Sequence, residues 1–339
     1  MTPRLKVLVI GAGAMGSTYG GLLAHAGHAV HLVDTRQEIV DAITQDGLQL
    51  EGVCGALQIS LSVSRNVPAL FNADCAMIWT DTNNTREAAH EAAKGLAKDG
   101  YAVTFQNGIG NIETLSEVLG SARVVAGSSM CSAALKKSGH AHFTHRGMTS
   151  LGEIDGTMSE RVNRLANALR EAGFETDVRT DILSLIWTKF ALNCSINPIA
   201  GVTGLRMGEL ARLPATDRFQ DLLIDEILSV IAASGVTLAD PDLRGTVKKH
   251  TRTKFSRPSM LQAIEAGKRT EIDALNAQLV ERGRALGIPT PYNESLVMLL
   301  KGVEFKATHA RGLTEEDYAK REAEIESESV VTAAGIKRS

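Results

Sequence analysis

The stretch LKVLVIGAGAMG, residues 5–16, decides the fold. Residues 5–10 are a short apolar, β-branched run, and Gly11, Gly13 and Gly16 follow it at once. The segment STYGGLLAHAG (17–27) then reads as a helix closed by Gly27. G-x-G-x-x-G alone carries little information, but between a strand and a helix it marks a dinucleotide-binding turn. Gly11 permits the tight turn, Gly13 lets backbone approach a pyrophosphate, and Gly16 lets the helix pack on the strand. With Ala12, Ala14 and Met15 they form a loop whose N–H groups, at a helix N-terminus, suit phosphate. Asp34 ends the next strand, HAVHLVD (28–34), 18 residues beyond Gly16, where a carboxylate accepts from ribose hydroxyls. A strand-end capping role is the plainer alternative for it.

Working outward, DCAMIWT (74–80), YAVTFQNG (101–108) and ARVVAGSSM (122–130) read as strands, with helical patterns at 84–98 and 111–119 between them. Strands alternating with helices predict an α/β Rossmann-type parallel sheet. HAHFTHRGMTSLGEI (140–154) reads as added strands and SERVNRLANALREAG (159–173) as a helix. Beyond about residue 180 strand signals fade, and helical patterns occupy 181–200, 217–234, 240–255, 259–266, 270–286 and 292–304. The expected organisation is a dinucleotide-binding domain at 1–180, an all-α domain at 181–305, and a charged tail at 306–339 that forms a peripheral helix or a frayed end.

Composition narrows the function classes. The 339 residues carry 36 Lys plus Arg against 39 Asp plus Glu, a net charge of −3, with 4% aromatic residues. Neither a basic field nor stacking aromatics point to nucleic acid. No run reaches the ~18 apolar residues of a membrane helix. The start MTPRLKVLVIGAG places Arg4 and Lys6 before an apolar run too short for a signal peptide. Cys54, Cys75, Cys131 and Cys194 are scattered, without metal-like spacing, which predicts reduced thiols in a cytoplasmic protein and no metal site.

A second stretch, WTKFALNCSINPIAG (187–201), spaces Lys189, Asn193 and Asn197 four residues apart in an apolar setting. On a helix these side chains share one face. Burying a cation and two amides is costly unless they satisfy one another or line a ligand cleft. Asn107, in FQNGIGNIETL, follows an apolar strand at the edge where doubly wound sheets bind ligands. Ser259 and Glu271 flank a short helix and turn in SMLQAIEAGKRTEID.

Across VLVIGAGAMGSTYG, QNGIGN, KFALNCSINP and SMLQAIEAGKRTEID, covering about residues 5–305, the chain resembles the ketopantoate reductase (2-dehydropantoate 2-reductase) family. The resemblance implies a Rossmann half and a helical half with the active site between them, and it allows a homodimer through the helical half. It implies reduction of a small 2-oxo acid by hydride from a nicotinamide cofactor. Lys189 is then the general acid, and Asn107 touches cofactor and substrate. Asn193 and Asn197 bind the substrate, Ser259 its carboxylate, and Glu271 its distal hydroxyl while orienting Lys189. A pre-placed ammonium suits the negative charge that ketone reduction builds on oxygen. Glu271 offsets the fall in lysine pKa that burial brings.

The chain departs from the family at several positions. VDTRQE (33–38) and WTDTNNTRE (79–87) place Asp34 and Asp81 where the family often has cations for NADPH, so NAD(H) is expected. Arg36 lies within reach of a 2′-phosphate and keeps NADP(H) as the alternative. Ala263 replaces the family's usual Asp; Ser256 and Pro258 stand where an Asn often precedes the serine, in a loop that in the family approaches the substrate, so other branched or aromatic 2-oxo acids are expected alternatives to 2-dehydropantoate. A β-hydroxyacid dehydrogenase also uses a K-x-x-x-N pair, but DILSLIWTKF lacks the glycine-rich helix start of that group. A non-catalytic dinucleotide sensor has no need of Lys189 and Glu271 together.

Overall fold

Short apolar runs such as Lys6–Ile10 and Val124–Ser129 form the buried strands, and twelve strands form among the described residues of this computed structural model. Those residues are 4–68, 70–310 and 312–335; the first three residues and the last four of the charged tail lie outside them. The strands are β1 (Lys6–Ile10), β2 (Ala29–Val33), β3 (Leu48–Gly52), β4 (Leu57–Ile59), β5 (Ser62–Ser64), β6 (Ala73–Ile78), β7 (Leu96–Thr104), β8 (Val124–Ser129), β9 (Ser132–Lys137), β10 (His140–His145), β11 (Thr149–Glu153) and β12 (Thr176–Val178). The N-terminal half also holds α1 (Ala14–His25), α2 (Gln37–Asp46), α3 (Thr85–Gly95), α4 (Asn111–Leu119) and α5 (Glu160–Glu171).

Eight strands make one sheet in the order β12-β11-β8-β7-β6-β1-β2-β5. From β5 to β8 it is parallel, as the alternating pattern predicts, but β11 pairs antiparallel with β8 and β12 follows β11. A second sheet, β4-β3-β10-β9, was absent from the sequence reading. Helix α1 lies between the two sheets, and its small residues explain how. A Cβ on Gly20 would press on Leu32 at 2.6 Å, and one on Gly21 on Leu48 at 2.7 Å.

The other half is helical: α6 (Ile182–Thr203), α7 (Met207–Leu210), α8 (Pro214–Ala233), α9 (Leu243–Thr253), α10 (Ser259–Glu265), a π-helical turn (Asp273–Ala277), α11 (Gln278–Leu286), α12 (Pro291–His309) and α13 (Glu315–Gly335). Its core gathers Phe190, Ile196, Leu223, Ile227, Leu275 and Leu300, and it admits Ile109 from the loop after β7. Several boundaries move. The helix expected to 98 ends at Gly95, because Leu96 already pairs with Ala73. Helix α12 runs past residue 305 to His309, with buried Glu304 accepting from Thr270 Oγ1 at 2.9 Å. The tail continues as α13, a helix with mostly exposed residues where its side chains are described.

Candidate active site

The glycine turn is closed by steric necessity. Gly11 has φ +99°, and a Cβ on Gly16 would lie 1.9 Å from the Gly11 carbonyl oxygen. Around Gly13, by contrast, nothing lies within 4 Å of a would-be Cβ, so this backbone faces open space. Gly13 caps α1 with no side-chain hydrogen bond, and no acid occupies the first turn. An uncapped helix N-terminus facing free space fits a dinucleotide's pyrophosphate.

Asp34 sits at the end of β2, as expected, but its carboxylate is already engaged. Oδ2 accepts from Ala12 N at 2.9 Å and from Arg36 Nη2 at 2.8 Å, and Oδ1 from Arg36 N at 3.0 Å and Nε at 2.9 Å. That fills about the four acceptor positions of a carboxylate. Burial works against its charge, yet Arg36 and the Ala12 N–H hold the carboxyl below its ordinary range. The Arg36 side chain is 48% exposed.

Under the turn lies an aromatic layer. Tyr19 of α1 stacks on Phe174 at 4.0 Å and meets Trp79 at 4.6 Å, and Trp79 stacks on Phe105 at 4.9 Å. The Tyr19 hydroxyl pairs with Ser129 Oγ at 2.9 Å and Thr149 Oγ1 at 2.5 Å. This ties the dinucleotide helix to the end of β8. The carbonyl of the same Ser129 receives Lys189 Nζ at 2.7 Å.

Helix α6 does bring Lys189, Asn193 and Asn197 to one face. Burial pushes the Lys189 ammonium down to about 8, and Glu271 and Cys131 oppose the fall. Lys189 and Asn193 line a narrow cleft with Asn107, Gly127 and Ser128. Asn107 Nδ2 donates to Glu271 Oε1 at 2.9 Å, across the two halves of the chain. The Asn107 loop is fixed because its carbonyl accepts from Thr82 Oγ1 at 3.0 Å and Asn111 Nδ2 at 3.1 Å. Asn197 is buried and donates to Ser259 Oγ at 3.2 Å and, at 3.5 Å, to Asn193 Oδ1. So Lys189, Asn107 and Glu271 cluster, Asn193 and Asn197 continue along α6, and Ser259 meets Asn197 from the start of α10.

Other positions stand apart. Asp81 is exposed beyond β6, and Ser256 turns to Met207 Sδ at 3.7 Å. Pro258 is buried as the N-cap of α10, and Ala263 lies within that helix. A wider cavity of about 690 Å³ opens nearby and shares Gln106, Gly108, Gly127 and Ile186 with the narrow cleft, but its walls include neither Lys189 nor the glycine turn.

The sequence reading missed Ser129, whose contribution is a backbone carbonyl, and Gln106. Gln106 donates to Thr80 O at 2.8 Å and Thr85 Oγ1 at 3.0 Å and so fixes the strand ends under Asn107. The signal available was the pairing of Gln106 with Asn107 at a strand end. Among the described residues no group of three or more His, Cys, Asp or Glu side chains is arranged to hold a metal, and no helix is long and apolar enough to cross a membrane.

Comparison with known proteins gives a consistent result. Residues 7–156 match the family model "Ketopantoate reductase PanE/ApbA", and residues 181–304 match "Ketopantoate reductase PanE/ApbA C terminal". The chain is similar to the 2-dehydropantoate 2-reductase of Archaeoglobus fulgidus, 33% identical over 88% of this chain and 98% of that one. It is also similar to that of Pyrococcus horikoshii, 30% identical with the same coverage. Among solved structures, a PanE/ApbA family ketopantoate reductase from Ralstonia eutropha JMP134 superposes with a TM-score of 0.80, at 32% identity, over 90% of this chain and 100% of that one.

Proposed function

The chain belongs to the ketopantoate reductase family, and from that footing we propose that it reduces a 2-oxo acid, 2-dehydropantoate or a related branched 2-oxo acid, to the 2-hydroxy acid. The observation that carries this reading is the partly buried ammonium of Lys189. It is tethered to the end of β8, pushed down to about 8, and set beside the Asn107–Glu271 pair.

The Gly11–Gly16 turn and the N-terminus of α1 would hold a dinucleotide, whose reduced nicotinamide would supply a hydride to the carbonyl carbon. As charge builds on the substrate oxygen, Lys189 Nζ donates a proton to it and is left as an amine. Its bond to the Ser129 carbonyl occupies one N–H and aims the others into the cleft. Glu271 favours the charged amine before transfer and accepts from a distal substrate hydroxyl. Asn193 and Asn197 bind the oxo acid, and Ser259 its carboxylate. Asn107 stands where cofactor and substrate meet.

NADH is the proposed donor. At the ribose position Arg36 is held on Asp34, Arg65 donates to the neighbouring Thr35 carbonyl at 3.2 Å, and the carboxylates of Asp34, Glu38 and Asp81 all act on Arg36. A 2′-phosphate there meets more negative than positive charge. NADPH remains the family-typical competitor, with Arg36 as its partner once released from Asp34. The deciding experiment follows initial rates of reduced-nicotinamide consumption with 2-dehydropantoate and a panel of 2-oxo acids, under each cofactor. Turnover of a branched 2-oxo acid with NADH preferred is expected; no consumption with any 2-oxo acid overturns the reading.

A further inference from the structure

Helix α6 carries Pro198 in its interior. A proline has no N–H, so the carbonyl of Cys194, four residues back, loses the donor an unbroken helix would give it. Another element fills the gap. Asn276 Nδ2 donates to Cys194 O at 2.9 Å and to Asn293 Oδ1 at 2.8 Å. Asn276 and Asn293 have no exposed surface. Asn293 is itself fixed, because buried Glu226 accepts from its Nδ2 at 2.6 Å and its backbone N at 2.9 Å.

Asn276 belongs to the π-helical turn Asp273–Ala277. Such turns are rare and concentrate at functional sites. The carbonyl of Glu271 starts this segment, accepting from Ala274 N at 3.0 Å and Leu275 N at 3.1 Å. The same turn abuts the Asn107 loop: a Cβ on Gly108, at φ +91°, would lie 2.2 Å from Ala274 O. One short segment therefore touches α6 through Asn276 and the Asn107 loop through Ala274, and it carries Glu271 between them.

We infer that Asn276 is a positioning residue for the reduction: by docking the π turn on the carbonyl that Pro198 leaves free, it sets Glu271 against the row of Lys189, Asn193 and Asn197. This rests on the reading of Lys189 as the acid and Glu271 as its partner. The groups acting on the ammonium are Glu271 from the π-turn segment, the Cys131 thiol beyond β8, and the Ser129 carbonyl.

The test compares the full chain with Asn276→Ala, Pro198→Ala and the double variant, measuring kcat, cofactor Kd and the pH profile of reduction. Asn276→Ala should lower kcat roughly 10- to 100-fold, the usual effect of displaced catalytic geometry. Cofactor Kd should hold. The alkaline limb should move to lower pH, because the ammonium loses the field of Glu271. Pro198→Ala restores an N–H for Cys194 O, so the loss on removing Asn276 should shrink by roughly threefold or more in that background. Should Asn276→Ala not fold, Asn276→Ser keeps a small polar side chain that does not span to Cys194 and gives the same readouts. A kcat loss with an unmoved limb, or equal losses in both backgrounds, overturns the inference. If the unaltered chain reduces no 2-oxo acid, the proposed function falls first; if it does and these variants match it, only the role of Asn276 falls.

Discussion

Reduction should fall away on the alkaline side, and one side chain should account for it. Lys189 stays protonated up to about pH 8 because burial outweighs the opposing pull of Glu271 and Cys131. Only the ammonium can donate to the carbonyl oxygen, so kcat/KM for reduction should be level at neutral pH and half-maximal near pH 8. Each further pH unit removes about nine-tenths of the remaining acid, so by pH 10 about one molecule in a hundred is competent. Oxidation of the 2-hydroxy acid needs the amine as proton acceptor, so its rate should rise through the same pH. The assay is initial rates in both directions at constant ionic strength, with cofactor saturating. Lys189→Ala should abolish both limbs and cost about 10²–10⁴ in kcat, with cofactor Kd unchanged. Lys189→Arg, charged at every working pH, should lose the limb as well. The Cys131 thiol also acts on this amine, so Cys131→Ser is the control, and it should retain the limb. A limb that persists in Lys189→Ala, or vanishes in Cys131→Ser, refutes the assignment.

The glycine turn gives a paired expectation. Gly16→Ala forces a Cβ to 1.9 Å from Gly11 O and should lower Tm by roughly 5–10 °C, whereas Gly13→Ala has free space and should keep Tm while raising cofactor Kd at least about tenfold; an unchanged Kd in Gly13→Ala would place the phosphates elsewhere. At the adenosine end, Asp34→Ala releases Arg36 and should shift the ratio of kcat/KM toward NADPH by roughly fivefold, while Arg36→Ala should shift it toward NADH; ratios unmoved in both variants would mean that other groups choose the cofactor.

What the sequence showed was what depends on near neighbours in the chain. The turn at Gly11–Gly16 is legible because strand, turn and helix follow within a dozen residues or so, and each glycine answers to a local steric demand. The row on α6 is legible because a spacing of four is all that a helix needs to align side chains. The second sheet was not legible: the β10 segment read as a strand, but its partner β3 lies across the intervening β4 to β9, and half-buried His140, His142 and Glu51 give no apolar signal of the pairing. In β7 the charged pair Lys98 and Asp99 reads as a helix end, yet it marks an exposed irregularity between Leu96 and Tyr101 in a strand already paired with β6. Asp34 lies at the end of β2, but the rotamer that folds Arg36 back onto it, though only two residues away, is not written in residue type or spacing. The anchor of Lys189 is the backbone carbonyl of Ser129, and no residue type announces a carbonyl.

The places where the chain breaks local rules coincide with the candidate chemistry. A proline stands inside α6 one position beyond Asn197, a π turn follows Glu271, and the Lys189 amine is buried. Each is unfavourable alone: proline inside a helix costs about 3 kcal/mol, and a desolvated ammonium resists burial. Together they offset one another. The carbonyl freed by Pro198 takes the amide of Asn276, the turn that holds Asn276 brings Glu271 to the cleft, and Glu271 opposes the loss of the Lys189 proton. A regular helix in place of Pro198 would supply a donor to the Cys194 carbonyl that Asn276 now reaches, leaving the bond from Asn107 Nδ2 as the contact on Glu271. The two irregularities therefore meet at Asn276, which joins the Cys194 carbonyl of α6 to Asn293 of α12 and, through it, to Glu226 of α8.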